Sequence, residues 1–312
     1  MTRATASGAT TRADDRRPPL VVTAGHPDFR ERARAEASRL GLPFADGPCA
    51  DGLFADRPSE DDAPVADLAL LLDERGWALV DPRPRAPGAV RVDLFEGDLG
   101  ERLRAGTRGE VRLARALGLR RHPTPLVLDA TAGLGRESVL AAAMGCHVIA
   151  CERSPAVALL LRDGLERAAA LGGPDVRDLV ARIDLRVADA REVLRDLSAA
   201  ERPDVVLVDP MFPHRKKAAA QKKEMQLLQR LLGPEAPDEA PVLLAAALAA
   251  ARRRVVVKRP AHAPAVPLEG RSPDLAVAGR AARYDVYLVA PGPVAPGPVA
   301  PGPAADGRAA GD

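Results

Sequence analysis

The stretch Leu126-Val-Leu-Asp-Ala-Thr-Ala-Gly-Leu-Gly-Arg-Glu137 restricts this chain to few folds. Three aliphatic residues, Leu126 to Leu128, predict a short strand, and Asp129 ends it. Thr131, Gly133 and Gly135 make a small-residue turn. A helical run from Glu137 to Met144 follows and stops at Gly145. Strand, Gly-rich turn and helix together open a doubly wound α/β sheet, in which glycine lets the backbone approach a ligand where a Cβ would clash. The spacing D-x-x-x-G-x-G is neither the dinucleotide G-x-G-x-x-G nor a phosphate loop ending in Gly-Lys-Ser/Thr. An acid at the strand end suits a cationic or hydroxyl-rich ligand better than a pyrophosphate.

The rest of the chain continues the alternation of strands and helices expected of a largely parallel sheet. Strands are expected at 147–151, 183–187, 205–208, 254–258 and 283–289. Helices are expected at 107–117, 155–171, 192–197, 217–232 and 241–252. Before this main domain (101–290), residues 20–100 read as a small α/β domain. It has a β run at Leu20–Thr23, a helix over Asp28–Leu40, and strands at Leu68–Leu72, Trp77–Val80 and Val90–Phe95. Residues 43–64 read as a Pro-, Asp- and Gly-rich loop. Residues 1–19 and the Pro/Gly/Ala tail 291–312 cannot build a core and are expected to be disordered. No apolar run approaches the ~18 residues of a membrane span, and the N-terminus lacks a signal-peptide apolar region. Cys49, Cys146 and Cys151 show no metal-ligand spacing, so no metal is expected, and they read as reduced thiols of a cytoplasmic protein.

Acids recur at successive strand ends. Glu152 lies 23 residues after Asp129, where a carboxylate can accept from ribose hydroxyls. Asp189 ends the third strand, within reach of an adenine amine. Each alone is an ordinary solvated acid. Three around one Gly-rich turn point to S-adenosyl-L-methionine, whose amine and sulfonium are positive.

After the fourth strand comes Asp209-Pro210-Met211-Phe212. The exocyclic amine of a base is a poor nucleophile, because its lone pair is delocalised into the ring. A carboxylate at Asp209 and the Pro210 carbonyl, both accepting from the NH₂, would aim the nitrogen and favour the charge that develops on it. Phe212 would stack on the base. The chain has 45 basic residues but only five lysines, and four of them follow this loop within eight residues: Lys216, Lys217, Lys222 and Lys223. With Arg215, and with Lys258 after the next strand, they could neutralise RNA phosphates. The charge run alone reads equally well as a solvated helix face. His214 is not read as a general base, since the amine proton can leave to water.

Asp129-Ala-Thr-Ala-Gly-Leu-Gly-Arg, Cys151-Glu-Arg, Asp209-Pro-Met-Phe-Pro-His, Lys222-Lys-Glu-Met and Arg254-Val-Val-Val-Lys-Arg-Pro together resemble the RsmJ family. These are bacterial methyltransferases of a guanine N2 amine in small-subunit (16S) ribosomal RNA. The similarity runs from about Val92 to Tyr287 and only in outline before that. The resemblance implies a Rossmann-like class I methyltransferase sheet with a small N-terminal α/β domain. It implies guanine 1516 as the target, and direct in-line methyl transfer without a covalent enzyme intermediate. It places cofactor contacts at Arg136, Glu137, Glu152, Arg153, Asp189, Ala190 and Asp209. Two departures stand out. Asp189-Ala190 replaces small hydroxyl residues, and Arg102–Gly109 is shorter and less basic than the family's segment. The residues alone also admit an adenine-N6 methyltransferase or a catalytically silent RNA-binding protein.

Overall fold

The computed structural model describes residues 20–46, 66–83, 88–106, 110–210, 223–234, 236 and 238–289. The segments expected to be disordered, most of the 43–64 loop and Cys49 lie outside these residues. Among the described residues, no helix is long and apolar enough to cross a membrane.

The main sheet has seven strands. They are β4 (Leu126–Asp129), β5 (His147–Cys151), β6 (Ile183–Arg186), β7 (Val205–Val208), β8 (Arg254–Pro260), β9 (Leu275–Val277) and β10 (Ala282–Leu288). Their order is β6-β5-β4-β7-β8-β10-β9. The first five are parallel, and β10 runs antiparallel to both of its neighbours. Helices cover both faces, which is why the central strands read as unbroken aliphatic runs. Successive residues point to opposite sides. Val127, Leu207 and Val256 join a core with α4 (Arg136–Ala143) and α5 (Pro155–Leu171). Leu128, Val206, Val255 and Val257 pack against α7 (Ala190–Asp196) and α9 (Glu239–Ala250). From β4 the chain builds β5 and β6 on one side, then returns to build β7 and β8 on the other. Adjacent strands β4 and β7 therefore part at their C-terminal ends, where such sheets bind ligands.

A second sheet holds β1 (Leu20–Ala24), β2 (Leu68–Asp73) and β3 (Gly76–Val80). β1 pairs in parallel and β3 antiparallel to β2. A 3-10 turn at Pro27–Phe29 leads into α1 (Arg30–Leu40). The two sheets share one contiguous core, running from Val22, Leu70 and Trp77 to Leu160, Leu161 and Leu207. The joint is α5. Its buried Asp163 accepts from the Trp77 N–H at 3.1 Å and from Arg167 Nε at 2.8 Å, while Arg167 Nη2 donates to the Val92 carbonyl. Gly76 is required at this contact. Its φ is 93°, and a Cβ there would lie 2.4 Å from Asp163 Oδ2.

Several elements differ from expectation for identifiable reasons. Only Val90 of the expected 90–95 strand pairs, as a bridge to Leu79. Asp93 accepts from the Phe95 and Glu96 amides, which turns the chain into α2 (Gly97–Ala105) instead. The helix expected over 107–117 is α3 (Val111–Leu117). α6 (Pro174–Ala181) starts on a proline after two glycines, a sequence that reads as loop. Asp189 caps α7 by accepting from the Arg191 amide, so that helix begins at Ala190 and not at Glu192. Of the expected 217–232 helix, α8 (Lys223–Leu232) lies within the described residues.

Replacing Asp163 by Ala would strip the Trp77 amide and Arg167 of their acceptor inside the joint. A loss of about 2–4 kcal/mol in unfolding free energy is expected, in a single transition, because both sheets share the core. Urea melts would read it, and a loss under ~0.5 kcal/mol would show that the joint contributes little.

Candidate active site

The β4–α4 turn is held by carboxylates that accept from its own backbone. Asp129, 2% exposed, accepts from the Thr131 amide at 3.1 Å and from the Ser138 hydroxyl at 2.6 Å. Burial pushes its carboxyl up to about 7 against those two hydrogen bonds, and the nearby Glu137 and Asp209 charges add to the rise. Gly133, in the left-handed region at φ 54°, donates its amide to Glu152 Oε2 at 2.9 Å, and Ser154 donates to Oε1 at 2.7 Å. Burial raises the Glu152 carboxyl and these amides oppose it. Gly135 packs tightly on α5: with φ at 77°, an added Cβ would lie 2.4 Å from Leu161 Cδ1.

A cleft opens over this turn at the C-terminal ends of the strands. Gly133, Glu152, Arg153, Asp189, Ala190 and Asp209 line it. Leu228 and Leu232 of α8 and Leu243 of α9 form its apolar wall. Arg153 pairs with Glu239 at 2.9 Å. The Arg191 guanidinium beside Asp189 holds that carboxyl below its ordinary range. Glu152 keeps acceptor capacity beyond its two amide donors, since each carboxylate oxygen has two lone pairs. An acid-lined cleft, with a deeply set carboxylate beside a glycine amide, fits a cation carrying a ribose. It does not fit a polyphosphate.

Asp209 sits where β4 and β7 part. Its amide donates to Thr131 Oγ1 at 2.6 Å, fastening the loop after β7 to the Gly-rich turn. Its Oδ2 accepts from Lys258 Nζ at 2.7 Å, and the same ammonium donates to Glu137 Oε1 at 2.6 Å. Burial pushes the Asp209 carboxyl up to about 6. Lys258 pulls it down and Glu137 pushes it up. Burial works against the Lys258 charge, but the two carboxylates outweigh it and hold the ammonium above its usual range.

The structure thus gathers Gly133, Glu152, Arg153, Asp189, Ala190 and Asp209 at one cleft, and Pro210, next to Asp209 in the chain, is buried. Other expected site residues sit elsewhere. Asp129 and Gly135 lie behind the turn and shape it. Arg136 pairs with Asp98 at 2.7 Å, and Glu137 turns to Lys258. Lys258, expected to extend the phosphate-facing patch, here lies between the carboxylates of Glu137 and Asp209. Arg230, at the end of the basic segment, turns inward to the buried Asp81 and the Asp67 carbonyl. Phe212, Arg215, Lys216, Lys217 and Lys222 lie outside the described residues, and Lys223 opens α8. Two residues missed at the sequence level are Thr131 as an acceptor and Tyr284, which stands opposite Lys258 on β10 and is 7% exposed. The alternation of β10 marks Tyr284 only as a core residue.

Known proteins resemble this chain closely. The family model described as "Putative SAM-dependent methyltransferase" matches residues 58–289, starting before Val92. The ribosomal RNA small subunit methyltransferase J of Thioalkalivibrio sulfidiphilus is 46% identical, over 84% of this chain and 94% of that protein. The protein of the same name from Pseudomonas paraeruginosa is 43% identical, over 88% and 96%. A crystal structure of a SAM-dependent methyltransferase from Neisseria gonorrhoeae superposes with a TM-score of 0.61 at 32% identity, covering 86% of this chain and 95% of that one.

Asp129 generates a pH dependence. With a folded carboxyl near 7 against about 3.9 unfolded, the folded protein holds a proton that the unfolded chain releases. That contribution to stability is complete below ~4 and is lost as pH rises through 7. Asn at 129 keeps both hydrogen bonds, with the Ser138 hydroxyl turning from donor to acceptor. The urea midpoint should therefore fall less between pH 5 and pH 8 in Asp129→Asn than in the parent. Parallel curves would assign the slope to other groups.

Proposed function

This chain belongs to the ribosomal RNA small subunit methyltransferase J family, and on that premise we propose how its own residues carry out the reaction. It is an S-adenosylmethionine-dependent methyltransferase. Glu152 accepts from the ribose hydroxyls of the cofactor and Asp189 faces its adenine amine, while Gly133, Arg153 and Ala190 shape the walls. Bound there, S-adenosylmethionine supplies a methyl group on a positively charged sulfur. The substrate is small-subunit ribosomal RNA, and the acceptor is the N2 amine of a guanine, at position 1516 on the family resemblance. The setting is the cytoplasm.

The position of Asp209 carries this reading. It stands at the mouth of the cleft, on the strand across the switch point from the Gly-rich turn, and it is tied to that turn through Thr131. Its carboxylate and the Pro210 carbonyl accept from the guanine NH₂, fixing the nitrogen and favouring positive charge on it. The surplus proton leaves to water. Phe212 stacks on the base, which must leave any helix to enter the cleft. The lysines at 216, 217, 222 and 223, with Arg215, neutralise phosphates beside the loop. The domain boundary near residue 100 separates a supporting N-terminal unit from the catalytic one.

Asp209→Ala should lower kcat by ~10²–10³, the effect of removing one preorganised polar group from a transition state. Asp209→Asn should fall less, since it keeps one acceptor oxygen. Nucleoside analysis of RNA from a strain lacking the enzyme, methylated in vitro, should yield N2-methylguanosine. N6-methyladenosine, or full activity in a folded Asp209→Ala enzyme, would overturn the amine clamp.

Changing Lys216, Lys217, Lys222 and Lys223 to Gln should weaken RNA binding. It should also reduce the log–log salt slope by roughly 0.7–0.9 for each phosphate that is no longer neutralised, leaving cofactor affinity intact. An unchanged slope would make these lysines a solvated face.

A further inference from the structure

We propose that Lys258 is a positioning residue for the methyl-transfer site, holding Asp209 ionised and correctly turned, and that Glu137 sets the strength of that hold. The inference rests on the reading of Asp209 as the amine clamp.

The geometry is specific. Lys258 Nζ lies 2.7 Å from Asp209 Oδ2 and 2.6 Å from Glu137 Oε1, so one ammonium bridges the loop after β7 and the first turn of α4. Its side chain is one quarter exposed and Glu137 is buried. A long lysine side chain loses considerable rotamer freedom in such a place. A surface cation does not need two carboxylates at this distance, and a cation reserved for phosphate would be weakened by them. The bridge instead provides what Asp209 lacks. The Asp209 side chain is one-third exposed, and its partial burial favours the protonated, neutral carboxyl, a poorer acceptor for an amine than the carboxylate. The ammonium favours the carboxylate and fixes one of its oxygens, leaving the other edge to face the base.

Other charged or titratable groups around Asp209 come from several elements. Glu137 lies on α4, Asp129 at the end of β4 and Tyr284 on β10. Arg102 of α2 faces Glu137 and Tyr284, and is itself paired with Glu110 at 2.7 Å. Across the cleft, the Glu239 charge is taken by Arg153. Lys258 is therefore the cation in direct contact with Asp209 among the described residues, and Glu137 is the negative charge that competes for it. The two have opposite effects on the clamp. Removing the Lys258 charge makes Asp209 harder to ionise. Removing the Glu137 charge makes it easier and leaves Lys258 wholly to Asp209.

The test is the pH profile of kcat with RNA and S-adenosylmethionine both saturating, in the full-length enzyme. Lys258→Met should move the acidic limb up by about 1–3 pH units, the effect of losing an adjacent opposite charge. Each unit is a tenfold loss of activity at a fixed pH on that limb. Glu137→Gln, nearly the same shape, should move the limb in the other direction. Lys258→Arg should restore most of the parental profile, which a purely steric role for the lysine would not predict. RNA affinity and its salt slope should stay unchanged in Lys258→Met.

Limbs that stay in place or move together in Lys258→Met and Glu137→Gln would overturn the proposal. So would a flattened salt slope in Lys258→Met, which would return the lysine to phosphate binding. If Lys258→Met does not fold, the downward shift in Glu137→Gln decides the matter alone. Asp209→Ala separates the two claims. Full activity there sinks the amine clamp itself, whereas an inactive Asp209→Ala with unmoved limbs sinks only the positioning role.

Discussion

The site depends on one hydrogen bond across the gap between two strands. β4 and β7 are neighbours in the sheet, but the chain goes from β4 to β5 on one side and from β7 to β8 on the other, so their C-terminal ends part. The Thr131 hydroxyl accepts from the Asp209 amide and bridges the opening. One strand end carries the turn that shapes the cleft, and the other carries Asp209, which we propose meets the substrate. Without a fixed distance between them, neither the Glu152 carboxylate nor the Asp209 carboxylate would have a defined partner across the cleft. Reaction between two bound molecules gains most when their separation is set beforehand.

Buried acids make that junction rigid, and they do so at a cost in desolvation. Asp129 and Glu152 are almost fully buried; Asp129 accepts from the Thr131 amide and the Ser138 hydroxyl, and Glu152 from the amides of Gly133 and Ser154. Asp209 has a cation instead. The acids in and behind the cleft therefore differ in what sets their charge. Asp129 lies within the turn with a carboxyl near neutrality, Glu152 is held by backbone dipoles, and Asp209 stands at the mouth with its charge set by a pair of opposed neighbours.

Much of this was legible in the residues. Fully buried strands read as aliphatic runs, so β4, β5 and β7 and the acids that end them could be placed from pattern alone. The Gly-rich turn identified the start of the sheet for the same reason: positive φ and close approach leave few alternatives to glycine. Orientation was not legible. Asp129 and Glu152 look alike as strand-end acids, yet one turns behind the loop and the other toward the cleft, a difference set by the position of Ser138 in the helix that follows. The partners of Lys258 were hidden too, because a charge run carries no information about what faces it. They come from sequence positions 121 and 49 residues away. The shared core was also hidden, because Trp77 and α5 are too distant in sequence to leave a local signal.

Helix α5 has a mechanical consequence. Its first turn is capped by Ser154, two residues beyond the cleft carboxylate Glu152, and Asp163 in its middle grips β3. A single rigid rod therefore joins the floor of the cofactor cleft to the N-terminal sheet. A displacement of that sheet would reach the Gly133–Glu152 contact through the helix. If the two ends are coupled in this way, a ligand in the cleft would bias the sheet by the same free energy as the sheet biases the ligand. The N-terminal sheet is thus built into the frame of the cleft, through the shared core, and is not an appended module.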